Sequence, residues 1–189
     1  KKIFYSLILL PLLGYGQGNN LYFIEDSNFL AYLQENYPQT IVNDSLDINA
    51  TEGVENLQLN NLGLESIDGV QFFSDLIFLN CDSNQLSTLP SLPEQLTDFW
   101  CKHNVITALP ELPESLSLLW CSDNQLSVLP SLPEGLINIG CENNLLTSLP
   151  SLPPGLSVFY CDYNQLTSLP VLPVSLFYFS CNFNLLTSL

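Results

Sequence analysis

The sequence predicts an α/β-type repeat solenoid, mostly β, with short parallel strands on its concave side and extended, proline-rich segments on its convex side. Three observations predict it. Cysteine stands at 81, 101, 121, 141, 161 and 181, an even step of 20 residues. Leu76, Leu96, Leu116, Leu136, Leu156 and Leu176 keep the same step, and Asn84, Asn104, Asn124, Asn144, Asn164 and Asn184 follow eight residues behind them. Pro90, Pro110, Pro130, Pro150 and Pro170 close each apolar run, with a second proline three residues later. Self-similarity at a fixed period of about 20 to 50 residues is the signature of stacked repeats.

Taken in order, residues 1–16 join Lys1 and Lys2 to an apolar run from Ile3 to Leu13 and end in Gly14-Tyr15-Gly16. A basic start, a short apolar stretch and a small-x-small end predict a signal peptide cleaved near Gly16, before Gln17. The alternative is a buried N-terminal strand. The run is shorter than the roughly 20 apolar residues a membrane-spanning helix needs. The expected product is secreted or at the cell surface, and with no cysteine at the cleavage point a lipid anchor is not expected.

Residues 17–53 do not repeat and are expected to form an N-terminal cap. Asp26 is placed to N-cap a helix across Ser27 to Asn36, with Phe29, Leu30 and Leu33 on one face and Pro38 ending it. A strand-like segment follows at Leu46 to Ile48. A solenoid requires such a cover, because each unit buries its faces against neighbours.

Residues 54–189 are the expected solenoid. A first unit of 22 residues carries Val54, Leu57, Leu59, Leu62 and Leu64, with Leu59 at the cysteine position and Leu62 at the asparagine position. Six units of 20 follow, reading L-x-x-Φ-x-C-x-x-N-x-L-x-x-L-P-x-L-P-x-x, where Φ is Leu, Ile or Phe. Alternation along Φ-x-C turns the apolar residue and the cysteine inward. Prolines three apart exclude helix and favour polyproline II, which predicts a shallow arc. The last unit stops at Leu189, two thirds through, so the natural chain is expected to continue.

The unit resembles the leucine-rich repeat, whose template is L-x-x-L-x-L/C-x-x-N-x-L, and that resemblance implies a right-handed arc. The 20-residue units are similar to the L-P-x-L-P repeats of secreted bacterial effectors. The 22-residue unit resembles an internalin-type repeat. The segment Ile24-Glu25-Asp26-Ser27-Asn28-Phe29-x-x-Tyr32-Leu33 resembles the cap of secreted leucine-rich-repeat proteins of Bacteroidetes-type bacteria.

All 19 acidic residues follow Gly16, against Lys102 as the one basic residue there. Such a surface repels phosphate backbones, so nucleic acid is not an expected partner, whereas cationic partners are permitted. Six cysteines in an exported chain ordinarily announce disulfides. Here each sits at the same inward position, and the strand spacing of about 4.8 Å exceeds the disulfide Cβ separation of about 3.8 Å, so a column of buried free thiols is expected. A column offers one ligand per layer rather than a tetrahedral cluster, so no metal is expected there, and no cofactor is expected anywhere.

Function is left to the outward residues of the strands, in three columns. The first runs Phe78, Asp98, Leu118, Asn138, Val158, Tyr178, and the central one Asn80, Trp100, Trp120, Gly140, Tyr160, Ser180. The third runs Asp82, Lys102, Ser122, Glu142, Asp162, Asn182. Trp100 beside Trp120, flanked by Phe78 and Leu118 and rimmed by Asp82, Asp98, Lys102 and Asp123, forms an expected apolar patch of the kind that marks binding sites. The candidate ligand-binding residues are Phe78, Asp82, Asp98, Trp100, Lys102, Leu118, Trp120, Glu142, Tyr160, Asp162 and Tyr178. The competing reading is that the aromatic column only stabilises the sheet.

Other chemistry is thin. His103 is expected at a turn on the surface. Glu94, Glu114 and Glu134 form an acidic column whose plain reading is solvation rather than Ca²⁺ binding. Asn49-Ala50-Thr51 fits a glycosylation sequon. No phosphate loop, metal-ligand motif or nucleophile elbow is present, so no catalytic site is expected. The expected function is an exported module recognising an extracellular protein. A glycan-binding accessory module is the alternative, with Trp100 and Trp120 stacking on sugar rings. An effector with its catalytic domain outside this chain is implied by resemblance alone and conflicts with the export signal.

Overall fold

The computed structural model describes residues 20–187, so the expected signal peptide lies outside the described residues. The chain opens with β1 (Leu21–Phe23), helix α1 (Ser27–Asn36), β2 (Ile41–Val42) and β3 (Ser45–Asp47), joined by 3₁₀ turns at Pro38–Thr40 and Ile48–Ala50. The first three strands form a small antiparallel sheet in the order β1-β3-β2. A second sheet of seven strands then carries β4 (Asn56–Gln58), β5 (Phe78–Asn80), β6 (Asp98–Trp100), β7 (Leu118–Trp120), β8 (Asn138–Gly140), β9 (Val158–Tyr160) and β10 (Tyr178–Ser180) in sequence order. Its pairings are parallel and in register, Leu79 opposite Phe99 and Trp100 opposite Trp120. This is the expected stack of parallel coils.

Asp26 Oδ1 accepts hydrogen bonds from the backbone N–H groups of Asn28 (2.9 Å) and Phe29 (3.0 Å), so α1 starts where the sequence placed it. At its end the Tyr37 N–H returns to the Leu33 carbonyl, and Pro38 opens a 3₁₀ turn. Phe29 and Leu33 are buried as expected, but Leu30 is only half-buried, at the margin of the helix's apolar face. The strand expected at Leu46 to Ile48 lies one residue earlier, because Ile48 already belongs to the turn that Asp47 caps through the Asn49 N–H.

In each coil the strand faces inward through its middle residue, and the following cysteine continues the pairing. The Cys101 N–H, for example, donates to the Trp120 carbonyl at 2.8 Å. Leu79, Phe99, Leu119, Ile139 and Phe159 are fully buried, with the cysteines stacked beside them. All six cysteines are free thiols, and burial pushes their pKa values upward. One expectation needs correction: Cys181 is only half-buried, because among the described residues its coil pairs with that of β9 alone.

The asparagines close the turns. Asn124 donates through Nδ2 to the carbonyls of Cys101 (2.9 Å), Cys121 (3.2 Å) and Ser122 (3.2 Å), while its Oδ1 accepts the Ile106 N–H at 3.0 Å. Two of these partners lie in its own coil and two in the coil before. The amide thus satisfies buried backbone groups that no strand could pair. The proline segments carry no helix, and a turn from Pro93 to Leu96, with its 3.2 Å hydrogen bond, leads into the next strand.

A feature the sequence reading missed is the residue before each asparagine. Ser83, His103, Asp123, Asn143, Tyr163 and Phe183 all have φ between 51° and 58°. Asn and Asp tolerate this left-handed region, whereas Tyr163 and Phe183 occupy it against steric preference. Their rings stack at 4.3 Å and 8°, largely exposed.

The concave face as candidate functional site

The strands present the three expected columns on one face. Phe78, Asp82, Asp98, Trp100, Lys102, Leu118, Trp120, Glu142, Tyr160 and Asp162 are half-buried, and Tyr178 is exposed. Half-burial is what a pleated sheet gives an outward side chain between two neighbouring strands.

The tryptophans do not form the single patch expected of them. Their backbones are opposite, but the rings diverge. Trp100 leans toward the N-terminal coils, where its ring meets Phe78 at 5.5 Å and 59°. Trp120 leans the other way, crossing Gly140 to stack on Tyr160 at 6.3 Å and 28°. The physical reason lies in Gly140, since a Cβ there would stand 2.6 Å from Trp120 Cζ3. The missing side chain gives the indole room to lie down. The face therefore holds two aromatic centres rather than one. The Trp100 Nε1–H is buried without a hydrogen-bond partner, a state that native structures seldom leave unexplained.

The charged rim is also more engaged than expected. Asp82 Oδ1 accepts the Lys102 N–H at 2.6 Å, and its Oδ2 lies 3.6 Å from Lys102 Nζ. The ammonium in turn stands 5.3 Å from the Trp100 ring centre. Burial raises the Asp82 pKa, against the pull of the Lys102 N–H and ammonium. Asp162 Oδ1 accepts the Asn182 N–H at 2.7 Å and the Ser180 hydroxyl at 2.6 Å. The Ser122 hydroxyl donates to Glu142 Oε2. Asp98 Oδ2 accepts the neighbouring Thr97 hydroxyl at 2.6 Å. Asp82, Glu142 and Asp162 thus clip one coil to the next, a role that residue type alone did not signal, whereas Asp98 bonds within its own coil.

Asp123 sits at the corner and faces His103, with Nδ1 to Oδ2 at 3.4 Å on an exposed edge. Glu94, Glu114 and Glu134 are exposed in the turns that lead into β6, β7 and β8. No cluster of three or more His, Cys, Asp or Glu side chains suited to a metal ion occurs among the described residues. The sequon threonine, Thr51, is buried, and its one hydroxyl proton lies between the Ile48 (2.8 Å) and Phe72 (2.7 Å) carbonyls, so it pins the N-terminal segment to the first coil. No helix among the described residues is long and apolar enough to cross a membrane.

No protein-family model and no curated protein matches this chain. Solved structures do. YopM from Yersinia enterocolitica WA-314 is 34% identical with a TM-score of 0.62 over 68% of this chain and 33% of its own. A Shigella effector leucine-rich-repeat domain is 34% identical with a TM-score of 0.65, over 71% of this chain and 61% of its own. YopM from Yersinia pestis, described as a leucine-rich effector protein, is 36% identical with a TM-score of 0.58, over 65% of this chain and 41% of its own. The chain thus spans between 33% and 61% of the length of these relatives. With its in-register strands, its asparagine turns and these neighbours, the protein has the leucine-rich-repeat fold as it occurs in bacterial proteins.

Proposed function

We propose that this protein is an exported recognition module that binds a partner protein through the concave face of its seven-stranded sheet. The observation that carries the reading is the occupation of the central column by Trp100, Trp120 and Tyr160. None of them fills the core, and large aromatic side chains at half-buried surface positions are the residues that dominate protein interfaces. The structural positions around them, the leucines, cysteines and asparagines, barely vary from coil to coil, while the outward columns vary freely. That division suits a scaffold carrying individually chosen contacts.

The test is a double substitution. Trp100→Ala with Trp120→Ala is expected to weaken capture of a protein partner by about 2 kcal/mol or more while far-UV circular dichroism stays unchanged. Unchanged affinity in the double variant would move the interface elsewhere and leave the aromatic column as sheet packing. Binding of polysaccharides in place of proteins would favour the glycan reading.

A further inference from the structure

The concave face contains one cation site already filled by the chain itself, and it contains the framework of a second. In the first, Asp82 Oδ1 holds the backbone N–H of residue 102 at 2.6 Å, leaving Oδ2 to meet Lys102 Nζ at 3.6 Å beside the Trp100 ring. Four coils further on, Asp162 Oδ1 holds the backbone N–H of residue 182 at 2.7 Å, the same clip in the same column. Residue 182 is asparagine, and its side-chain amide turns to Ser180 Oγ at 2.9 Å, so Asp162 Oδ2 receives no hydrogen bond. Asp162 follows Tyr160 by two residues on the same face, in the column next to the ring that stacks on Trp120.

Glu142 adds a second carboxylate. A Cβ at Gly140 would lie 2.6 Å from Trp120 Cζ3 and 2.9 Å from Glu142 Oε2, so indole and carboxylate converge above the same glycine. The Ser122 hydroxyl occupies Oε2 and leaves Oε1 without a hydrogen bond. Lys102 is the single lysine or arginine among the described residues, and it is committed to Asp82.

Building on the concave-face reading above, we infer that Trp120, Tyr160, Glu142 and Asp162 form a receptor for a lysine or arginine side chain of the partner protein. An aromatic face attracts a cation through its quadrupole, and a carboxylate alongside fixes its position. The excess of acid over base in this chain draws a cationic segment toward the face before contact is made. Gly140 is the positioning residue, because a side chain there would push the indole out of the site.

The full chain would be titrated with a capped Gly-Arg-Gly-Arg-Gly peptide, following tryptophan emission, beside the citrulline version of the same peptide. Expected are binding of the arginine peptide, none of the citrulline one, and affinity about tenfold lower in Glu142→Gln combined with Asp162→Asn. Gly140→Ala, which keeps both carboxylates, is expected to weaken binding likewise. Glu114→Gln, which removes an exposed charge from the turn before β7 rather than from the strand face, is expected to change it less than about twofold. Equal binding of the citrulline peptide, equal losses in Glu114→Gln, or emission changes with cellohexaose but not with the arginine peptide would each overturn the inference. If the arginine peptide fails while the double tryptophan substitution still abolishes capture of a protein partner, the cation receptor falls and the concave-face reading stands.

Discussion

The N-terminal segment and the repeating coils solve the same problem by different means. Both must satisfy buried backbone groups and seal an apolar layer. The coils do so with one device used repeatedly, an asparagine that bridges its own coil and the one before. The N-terminal segment uses a different side chain at each point. Asp26 caps α1 with Oδ1 and, through Oδ2, accepts the Glu65 (2.7 Å) and Ser66 (3.1 Å) N–H groups of the first coil. Tyr32 and Tyr37 reach β4, the hydroxyl of Tyr32 accepting from the Gln58 N–H at 3.1 Å and that of Tyr37 donating to the Asn56 carbonyl at 2.5 Å. Thr51 and Asp75 complete the seam, the latter accepting the Gly53 N–H at 2.8 Å. Gly69, at φ 115°, lets the first coil close on Ile24, whose Cδ1 would stand 2.5 Å from a Cβ there. The difference teaches that a repeat stabilises itself through its period, whereas a cap must be fitted to the single surface it covers.

The sharpest way to break the comparison is to remove one asparagine amide inside the stack. Asn124→Ala leaves the Ile106 N–H buried and unpaired and takes from the Cys101 carbonyl one of the two amides it accepts, the other being that of Asn104, and is expected to cost about 2 to 3 kcal/mol in chemical denaturation. Asn184 makes the same set of bonds, to Cys161, Cys181 and Asn182 and from the Leu166 N–H, but is half-exposed. Water can replace its partners, so Asn184→Ala is expected to cost about 1 kcal/mol. Equal losses would contradict the view that burial, rather than bond count, sets the value of each amide.

Asp26 tests the other half. Asp26→Ala removes a helix cap and the link to the first coil, with an expected loss of about 1 to 2 kcal/mol. Burial works against the carboxylate's charge, but the N–H groups of Phe29, Ser66, Glu65 and Asn28 outweigh it and hold the pKa below its ordinary value. A carboxylate whose pKa is lower in the folded state stabilises the fold above its unfolded pKa, near 3.9, and loses that contribution as pH falls through the folded value. The gap between wild type and Asp26→Ala is therefore expected to be constant above about pH 5 and to shrink below about pH 4 in acid denaturation. A gap that persists undiminished in acid would assign the effect to packing rather than charge.

Much of this structure was legible beforehand because local chemistry and period agreed. Asp26 before Ser27 marked the helix start, and Φ-x-C-x-x-N placed strand, core and turn in one stroke. What was hidden depends on neighbours rather than on the residue itself. Nothing in Trp120 tells which way its ring falls; that is settled by the hydrogen at Gly140. Nothing in Asp82 or Asp162 distinguishes a free carboxylate from one holding the next coil's N–H. The left-handed corner was readable in Asn143 and Asp123, but Tyr163 and Phe183 masked the pattern.

The smallest expected effect separates the coils from one another. With thiol reagent and no denaturant, Cys181 is expected to react slowly, since burial and the nearby Asp162 raise its pKa without enclosing it. Cys81, Cys101, Cys121, Cys141 and Cys161 are expected to react only on unfolding. Rapid labelling of an interior cysteine would show that the coils open independently.

The backward reach of each asparagine bears on how such a chain changes length over generations. Because every amide pairs with its own coil and the one behind it, a join made at the same point of any two units rebuilds an identical junction. Slippage or recombination between the corresponding stretches of the gene then adds or deletes a whole coil without disturbing a turn. The aromatic and acidic side chains travel with their units, so the spacing between the two aromatic centres can be reset by a single duplication, while the fold that displays them stays the same.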